Sequence, residues 1–397
     1  MMNCNAILSR ITPASGALVA VGGVLGVCGL VKSSAVLAIG GIALAAIGLL
    51  ARYWPRTEQS VGIPFSSSAL EPSPLNAFET EYAAMDNSKK AAAVDACDDT
   101  FPADGYSNRD PLNSDWIGIL FDFAQKLLAP HSPKSTIFAI GQTPAWILAA
   151  GRAADPSRKD KLRHLAFSGS WWGIADATGK EYTVSFEGSS TKTTGNSWKN
   201  YEAGQTLRKF SDRAPTGPQL AAYRKYLARI GFHPRAIVQA EHPTVIVDYV
   251  QRGGGLRSFL DVLFDWAQDE GFSKDQLKAK MHLQLIYGNT DAGRFSSQDA
   301  FVCFLTEIFS PLSAKLEFTF IEPIEELTLL RLTNKSDEKR RLIKRFTWNA
   351  WNEETCSESS YANNPAIRTI YLQFLACHEA IKIVGVRTVG LAGVFSS

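Results

Sequence analysis

The chain has 397 residues and a formal net charge of +2, with 41 Lys and Arg against 39 Asp and Glu. Hydrophobic residues make up 45% and charged residues 20% of the sequence, as in chains that bury a core. The balanced charge argues against a strongly basic nucleic-acid-binding protein, so we expect no nucleic-acid partner. The 30 Gly and 18 Pro are too few for a collagen-like or wholly disordered chain.

The six cysteines form no metal or disulfide pattern. They stand far apart, and none belongs to a CxxC pair or has a histidine at zinc-finger spacing. A zinc site and a disulfide framework are therefore not expected, and free thiols are the predicted state.

The N-terminus contains two uncharged apolar runs, 14–31 and 35–51, separated by a Lys-Ser-Ser tripeptide. Each run is near the lower length limit for a membrane-spanning helix. Arg10 precedes the pair, and Arg52 and Arg56 follow it. Basic flanks on one side predict a two-pass hairpin with both termini on the cytosolic side of a membrane. The second run argues against a secretory signal, and a hairpin buried within a soluble protein stays open as an alternative.

Two short apolar lobes with a small polar break resemble the bilobed domain of chlamydial inclusion membrane proteins. The resemblance covers about residues 10–56 and is compositional. It implies type III export and insertion into a vacuole or inclusion membrane, facing the host cytosol. The partners it implies are a membrane, through residues 14–51, and host or other proteins.

Composition divides the chain into four segments. Residues 1–56 are the predicted transmembrane hairpin, and 57–111, rich in Ser, Pro, Asn and Asp, are a predicted linker with a short helix near 77–95. From 112 to 331, helical and strand patterns alternate, which predicts an α/β domain with a mostly parallel sheet and flanking helices. Residues 332–397 are a predicted C-terminal helical extension.

Individual elements follow from the spacing of apolar residues. Helices are predicted at 114–128, 145–153, 217–231, 256–270 and 366–384. Strands are predicted at 135–140, 163–168, 244–248, 281–287 and 315–321. The polar stretch 169–215 is predicted to be a long insertion or a hairpin.

One segment has the character of a phosphate site. Residues 244–259, TVIVDYVQRGGGLRSF, combine an apolar strand, one acid, three consecutive glycines and the start of a helix. Three glycines let backbone N–H groups converge on an anion, and the helix N-terminus adds partial positive charge. Asp248 at the strand end would bind ribose hydroxyls or a hydrated Mg²⁺. The segment lacks both the GxGxxG spacing of dinucleotide sites and the Gly-Lys-Ser/Thr of P-loops.

This segment resembles the 5′-phosphate loop of type I phosphoribosyltransferases. Residues 245–247 match the family's apolar strand, Asp248 its first acid, and Gly254 and Gly255 its paired glycines. The resemblance implies that Asp248 is the catalytic residue, holding the ribose hydroxyls or a hydrated metal ion. It also implies that the backbone amides of Arg252, Gly253, Gly254, Gly255 and Leu256 hold the phosphate.

A second segment, STIFAIGQTPAWIL, resembles that family's pyrophosphate loop, which Gly141, Gln142 and Thr143 would form. The order of the two loops along the chain also agrees, and the resemblance spans about 114–325. It implies a phosphoribosyltransferase-like fold, a phosphoribosyl pyrophosphate or ribose 5-phosphate ligand, Mg²⁺ as cofactor, and transfer of the phosphoribosyl group to a base.

Departures from the family pattern leave two alternatives open. Gly253 and Leu256 stand where the family has phosphate-binding hydroxyls, and Arg252 would either clamp a phosphate or block catalysis. The first alternative is a non-catalytic, membrane-tethered interaction module or secreted effector that retains the fold. The second is a glycine-rich turn in an ordinary α/β domain.

Other candidate catalytic groups are assigned to packing. His164 and His242 lie near predicted strand ends, and His378 follows Cys377 on a predicted helix. Consecutive helical residues do not share a face, so Cys377, His378 and Glu379 do not form a catalytic group. The sequence also lacks the GxSxG elbow at Ser168-Gly169-Ser170, which argues against a serine hydrolase.

Overall fold

A computed structural model describes residues 73, 75–100, 115–167, 169–175, 206–250, 253–288, 297–323 and 364–384. All of them belong to one compact unit, Gly62–Ser397. The predicted hairpin at 1–56 lies outside these ranges. Within them, none of the helices combines the length and apolar character needed to cross a membrane.

The described strands form one large and one small sheet. They are β1 (Ile137–Ile140), β2 (Leu162–Leu165), β3 (Trp172–Ala175), β4 (Thr206–Lys209), β5 (Thr244–Tyr249), β6 (Met281–Gly288) and β7 (Lys315–Ile321). The large sheet has the order β2-β1-β5-β6-β7, and every neighbouring pair in it is parallel. Strands β3 and β4 pair antiparallel with each other. The predicted α/β class with a parallel sheet is therefore confirmed.

Helices flank the large sheet. They are α1 (Leu75–Ala83), α2 (Asn87–Thr100), α3 (Asp115–Leu128), α4 (Gln142–Ala154), α5 (Gly217–Arg229), α6 (Pro234–Gln239), α7 (Gly254–Asp269), α8 (Lys274–Lys278), α9 (Gln298–Phe309) and α10 (Pro365–Val384). The chain passes from β1 through α4 to β2 on one side, and from β5 through α7 to β6 on the other. Right-handed crossovers therefore place α4 and α7 on opposite faces of the sheet.

The predicted elements agree well with these bounds. All five predicted strands and all five predicted helices are present, with ends that differ by three residues at most. Apolar spacing succeeds here because β1 and most of β5 are buried, so each strand is a short continuous apolar run. The helices α6, α8 and α9 were missed. The polar stretch 169–215 contains β3 and β4, in keeping with the hairpin alternative.

Two helices lie within the predicted linker, where a single short helix was expected. Helix α1 buries Leu75, Phe78 and Tyr82, which repeat at helical spacing on one face. Helix α10 packs against α1, α2 and α4. Helices α1, α2 and α10 therefore form a layer beside α4 and join the same hydrophobic core.

A buried polar network holds this layer together. The Arg152 side chain of α4 is 2% exposed, and its Nε donates to Glu79 Oε1 of α1 at 2.5 Å. The Tyr371 hydroxyl of α10 donates to the same oxygen at 2.9 Å. Arg152 also donates to Asn76 and to the carbonyl of Lys159. One carboxylate thus receives hydrogen bonds from two other helices, which fixes the register of all three.

We expect Glu79→Ala to lower the free energy of unfolding by about 3–5 kcal/mol, because Arg152 would be left as a buried, uncompensated charge. The matched control is Glu81→Ala on the same helix, whose partner Arg368 is 44% exposed. An exposed pair of this kind contributes about 1 kcal/mol or less. Urea unfolding followed by circular dichroism measures both variants. Equal losses would contradict the assignment of Arg152 to the core.

Candidate functional site

The two loops predicted from the sequence meet at one edge of the sheet. Strands β1 and β5 are parallel neighbours, and Ile140 lies opposite Asp248 in their register. The chain leaves these two strands in opposite directions, so their carboxyl ends form a topological switch point. Ligands of open α/β sheets bind at such topological switch points. The segment starting at Gly141 and the segment starting at Asp248 therefore begin side by side.

The first loop depends on the backbone of Gly141. This residue has φ +80° and ψ −179°, a backbone conformation that is essentially confined to glycine. Open space surrounds the position that a Cβ would take. Its N–H donates to the Leu165 carbonyl at 3.2 Å. Gln142 and Thr143 then form the start of α4, so amide groups of a helix N-terminus lie at the sheet edge.

The second loop is packed more closely than a free phosphate cradle. Gly253 has φ +75° and precedes α7, which Gly254 begins. A Cβ on Gly253 would lie 2.9 Å from the Phe309 ring, and one on Gly254 would lie 2.3 Å from the Trp172 carbonyl oxygen. Gly255 has open space at the same position. Packing therefore requires the first two glycines, whatever ligand the loop binds.

The remaining residues predicted for this loop differ in placement. Leu256 is 1% exposed, so its side chain belongs to the core and its backbone amide is the group it can offer to an anion. Arg252 lies outside the described residues. The paired glycines and Leu256 thus lie at the predicted position, at the start of α7.

Asp248 lies at the carboxyl end of β5, where burial raises the pKa of its carboxyl group to about 8. A hydrogen bond from the Tyr249 backbone N–H opposes this shift. The carboxyl group is therefore mostly protonated at neutral pH, when it can donate as well as accept a hydrogen bond. A desolvated acid with a strongly raised pKa at the carboxyl edge of a parallel sheet is a candidate functional group.

The described residues contain no group of three or more His, Cys, Asp or Glu side chains placed to hold a metal ion. Asp248 is the one acid of the predicted site, and its carboxyl group must give up its proton to act as a metal ligand. A single carboxylate suits Mg²⁺ in the manner it usually binds phosphate ligands, with one or two carboxylates and the rest of its shell from water and phosphate oxygens. A cage of protein ligands is not seen in this part of the chain.

Residues 170–172 lie across the start of α7. Ser258 of α7 is central to their attachment. Its hydroxyl accepts the backbone N–H groups of Trp171 at 3.0 Å and Trp172 at 3.3 Å. It donates to the Gly254 carbonyl at 2.8 Å. One donor and two acceptor positions are all that a hydroxyl has, so Ser258 is fully used.

The indole ring of Trp172 adds a second attachment. Its Nε1 donates to Asp261 Oδ2 at 2.7 Å, and the Arg257 guanidinium lies 4.6 Å from the ring centroid. Asp261 also pairs with Arg257 at 3.3 Å and with Lys209 of β4 at 3.6 Å. The β3–β4 hairpin is thereby joined to the first two turns of α7.

Sequence reasoning missed this attachment. Ser258 and Asp261 were not singled out. The signal was present in α7, where Gly254, Ser258 and Asp261 recur every three or four residues beside the apolar stripe. The stripe predicts which face is buried, but it does not identify what covers the polar face.

The histidines assigned to packing have environments that agree with that role. Burial, with a contribution from Arg152, lowers the pKa of His164 to about 3, so the ring is neutral at physiological pH. The His378 ring packs edge-on against Phe121 with centroids 5.4 Å apart. The low pKa of His164 makes its ring too weak a base for general-base catalysis near pH 7.

Comparisons with protein-family models, with curated proteins and with solved structures gave no match for this chain. The likeness to type I phosphoribosyltransferases stands on the two loops and on their order along the chain. The five-stranded parallel sheet is compatible with that fold.

We expect Gly254→Ala to destabilise the protein by about 1–3 kcal/mol, because the new Cβ would overlap the Trp172 carbonyl oxygen and force a backbone shift. Gly255→Ala is the matched control one residue away. It has open space and should stabilise α7 by up to about 1 kcal/mol. Thermal unfolding compares them, and stabilisation by both would show that Trp172 does not rest on Gly254.

The raised pKa of Asp248 predicts a pH dependence of stability. The unfolded chain loses this proton near the ordinary value of 3.8, and the folded chain loses it near 8. The contribution of Asp248 to the free energy of unfolding therefore falls as pH rises from about 4 to about 8 and stays constant above that range. Asp248→Asn removes the ionisation, so its melting temperature should gain on the wild type across this window. Parallel melting curves from pH 4.5 to 8.5 would contradict the assignment.

Proposed function

We propose that the sheet edge at the carboxyl ends of β1 and β5 binds a phosphorylated ribose, as ribose 5-phosphate or phosphoribosyl pyrophosphate. The observation that carries the proposal is the register that sets Ile140 opposite Asp248, which brings both predicted loops to one point. Two long helices, of 13 and 16 residues, begin at that edge. Their N-termini offer partial positive charge to the two anionic ends of such a ligand.

In this proposal each loop has a distinct task. Gly141, Gln142 and Thr143 face the pyrophosphate, with the glycine conformation leaving room for it. The backbone amides at the start of α7 hold the 5′-phosphate. The Asp248 carboxyl group hydrogen-bonds the ribose hydroxyls between them. A bound Mg²⁺ would offset the negative charge of the pyrophosphate.

Transfer of the phosphoribosyl group to a base would need few proton movements within the protein. The site would act by holding the sugar in place and by stabilising the charge on the departing pyrophosphate. Membrane attachment through residues 14–51 belongs to the same proposal, with the described domain on the cytosolic side. By the likeness of its N-terminus, that membrane is a vacuole or inclusion membrane.

The second candidate is a non-catalytic module that keeps the fold and acts through protein partners at such a membrane. One specific observation favours it. The Trp172 carbonyl oxygen and the Ser170 hydroxyl pack against Gly254, so protein atoms already occupy the side of that residue where a side chain would project. The replacement of the family's hydroxyl residues by Gly253 and Leu256 points the same way.

Isothermal titration calorimetry of the full chain in detergent micelles, with phosphoribosyl pyrophosphate and Mg²⁺, tests the proposal. We expect saturable binding that weakens about tenfold or more in Asp248→Ala, the effect of losing a hydrogen bond or more to the ribose. Asp212→Ala, at an exposed position, is the control and should bind as the wild type does.

Parallel titrations with ribose 5-phosphate and inorganic pyrophosphate separate the sugar contribution from the anion contribution. A screen of nucleobases for pyrophosphate release then tests transfer. Absence of saturable binding in a folded sample would contradict the proposal and favour the non-catalytic module.

A further inference from the structure

A small cavity lies between the β3–β4 hairpin and helices α5 and α7. Its volume is about 70 Å³, which leaves room for about five water-sized groups. Trp171 and Val262 are buried and form its floor, whereas Lys209 and Asp265 are exposed and form its mouth. The cavity shares no residue with the predicted phosphate site, and its size suits the polar head of a small molecule.

Three charged side chains line this cavity. Lys209 of β4 and Arg224 of α5 are cations, and Asp265 of α7 is an acid. The other described residues that line it are apolar, namely Trp171, Ala214, Pro215, Leu220 and Val262. A few polar groups that converge within an apolar wall are the usual composition of a small-molecule site.

Both cations retain hydrogen-bond donors for a ligand. Lys209 Nζ lies 3.6 Å from Asp261 Oδ2, which is an ion-pair distance but too long for a hydrogen bond. Arg224 donates to Asp269 Oδ2 at 2.7 Å through Nη1, and this bond uses a single N–H of the guanidinium. A carboxylate that entered the cavity would therefore meet two cations with donors to offer.

The acid on the other side of the cavity lacks a counterion. Within the described ranges, Asp265 makes neither a hydrogen bond nor an ion pair. Partial burial raises the pKa of its carboxyl group, and the Asp261 carboxylate raises it further. Lys209, Lys274 and Arg224 act in the opposite direction from a longer distance. A cation placed beside Asp265 would offset the cost of its ionisation.

We propose that this cavity binds the head group of a small free amino acid, with its carboxylate at Arg224 and Lys209 and its ammonium at Asp265. Glycine has as many non-hydrogen atoms as the cavity has water-sized positions. A simple carboxylate would leave Asp265 without a counterion, and a simple amine would lie beside two cations. A zwitterion presents the opposite charge to each side. The inference is independent of the proposed ribose site.

Titration of the full chain in detergent micelles, with isotope-labelled tryptophan, tests this inference by NMR. The indole N–H resonance of Trp171 is the local reporter, and Trp171→Phe assigns it. The probes are glycine and L-alanine. Acetate and methylamine, which each carry one of the two charges, are the comparison ligands.

Two variants each remove one charge from the lining, Asp265→Asn and Arg224→Gln. The matched control is Asp275→Asn, an exposed acid of α8 that does not line the cavity. Circular dichroism checks that each variant is folded. Asp265 is exposed, so its variant retains the fold and decides the test if Arg224→Gln does not.

We expect glycine and L-alanine to shift the Trp171 resonance saturably, and acetate and methylamine to bind about tenfold or more weakly. Loss of a charge-assisted hydrogen bond should weaken L-alanine binding about tenfold or more in Asp265→Asn and Arg224→Gln. Asp275→Asn should bind as the wild type does. Equal affinity for L-alanine and for either single-charge ligand would overturn the inference. Binding that survives in Asp265→Asn, or the absence of a saturable shift in the folded wild type, would overturn it as well.

Discussion

Two buried parallel strands, β1 and β5, lie side by side at the centre of the sheet, with Ile140 opposite Asp248. Because each is followed by a helix that crosses to a different side, the starts of α4 and α7 converge at one edge. The handedness of crossovers makes this convergence a property of topology. The loop residues then need to supply only local features, namely the left-handed glycines and a single acid.

The three glycines at the start of α7 have two possible explanations, a bound phosphate and packing within the protein. Read alone, three consecutive glycines suggest a loop open to phosphate. In the structure, Gly253 admits the Phe309 ring and Gly254 admits the Trp172 carbonyl, while Gly255 faces open space. The same lack of side chains that would let a phosphate approach has let the protein's own backbone approach. Packing within the protein thus accounts for Gly253 and Gly254 without a ligand.

Much of the fold could be predicted from the sequence because buried parallel strands and amphipathic helices leave strong local patterns, as in β5 and α7. The two loops are adjacent because β1 and β5 are neighbours in the sheet. The local sequence does not encode that strand order. Contacts across long separations were not predictable. The Ser258 hydroxyl bonds a segment 87 residues away, and Glu79 reaches Tyr371 across 292 residues. Polar residues of this kind resemble ordinary surface positions until their partners are known.

The layer formed by α1, α2 and α10 changes how this protein can be divided. In the sequence, residues 112–331 look like a separable domain. In the structure, Phe374 of α10 packs edge-on against Trp146 of α4, with centroids 5.7 Å apart. A fragment cut at those limits would expose that tryptophan and strip the ionic partner from Arg152. Recombinant fragments that retain residues 75–384 preserve both contacts, so the useful boundaries are structural ones.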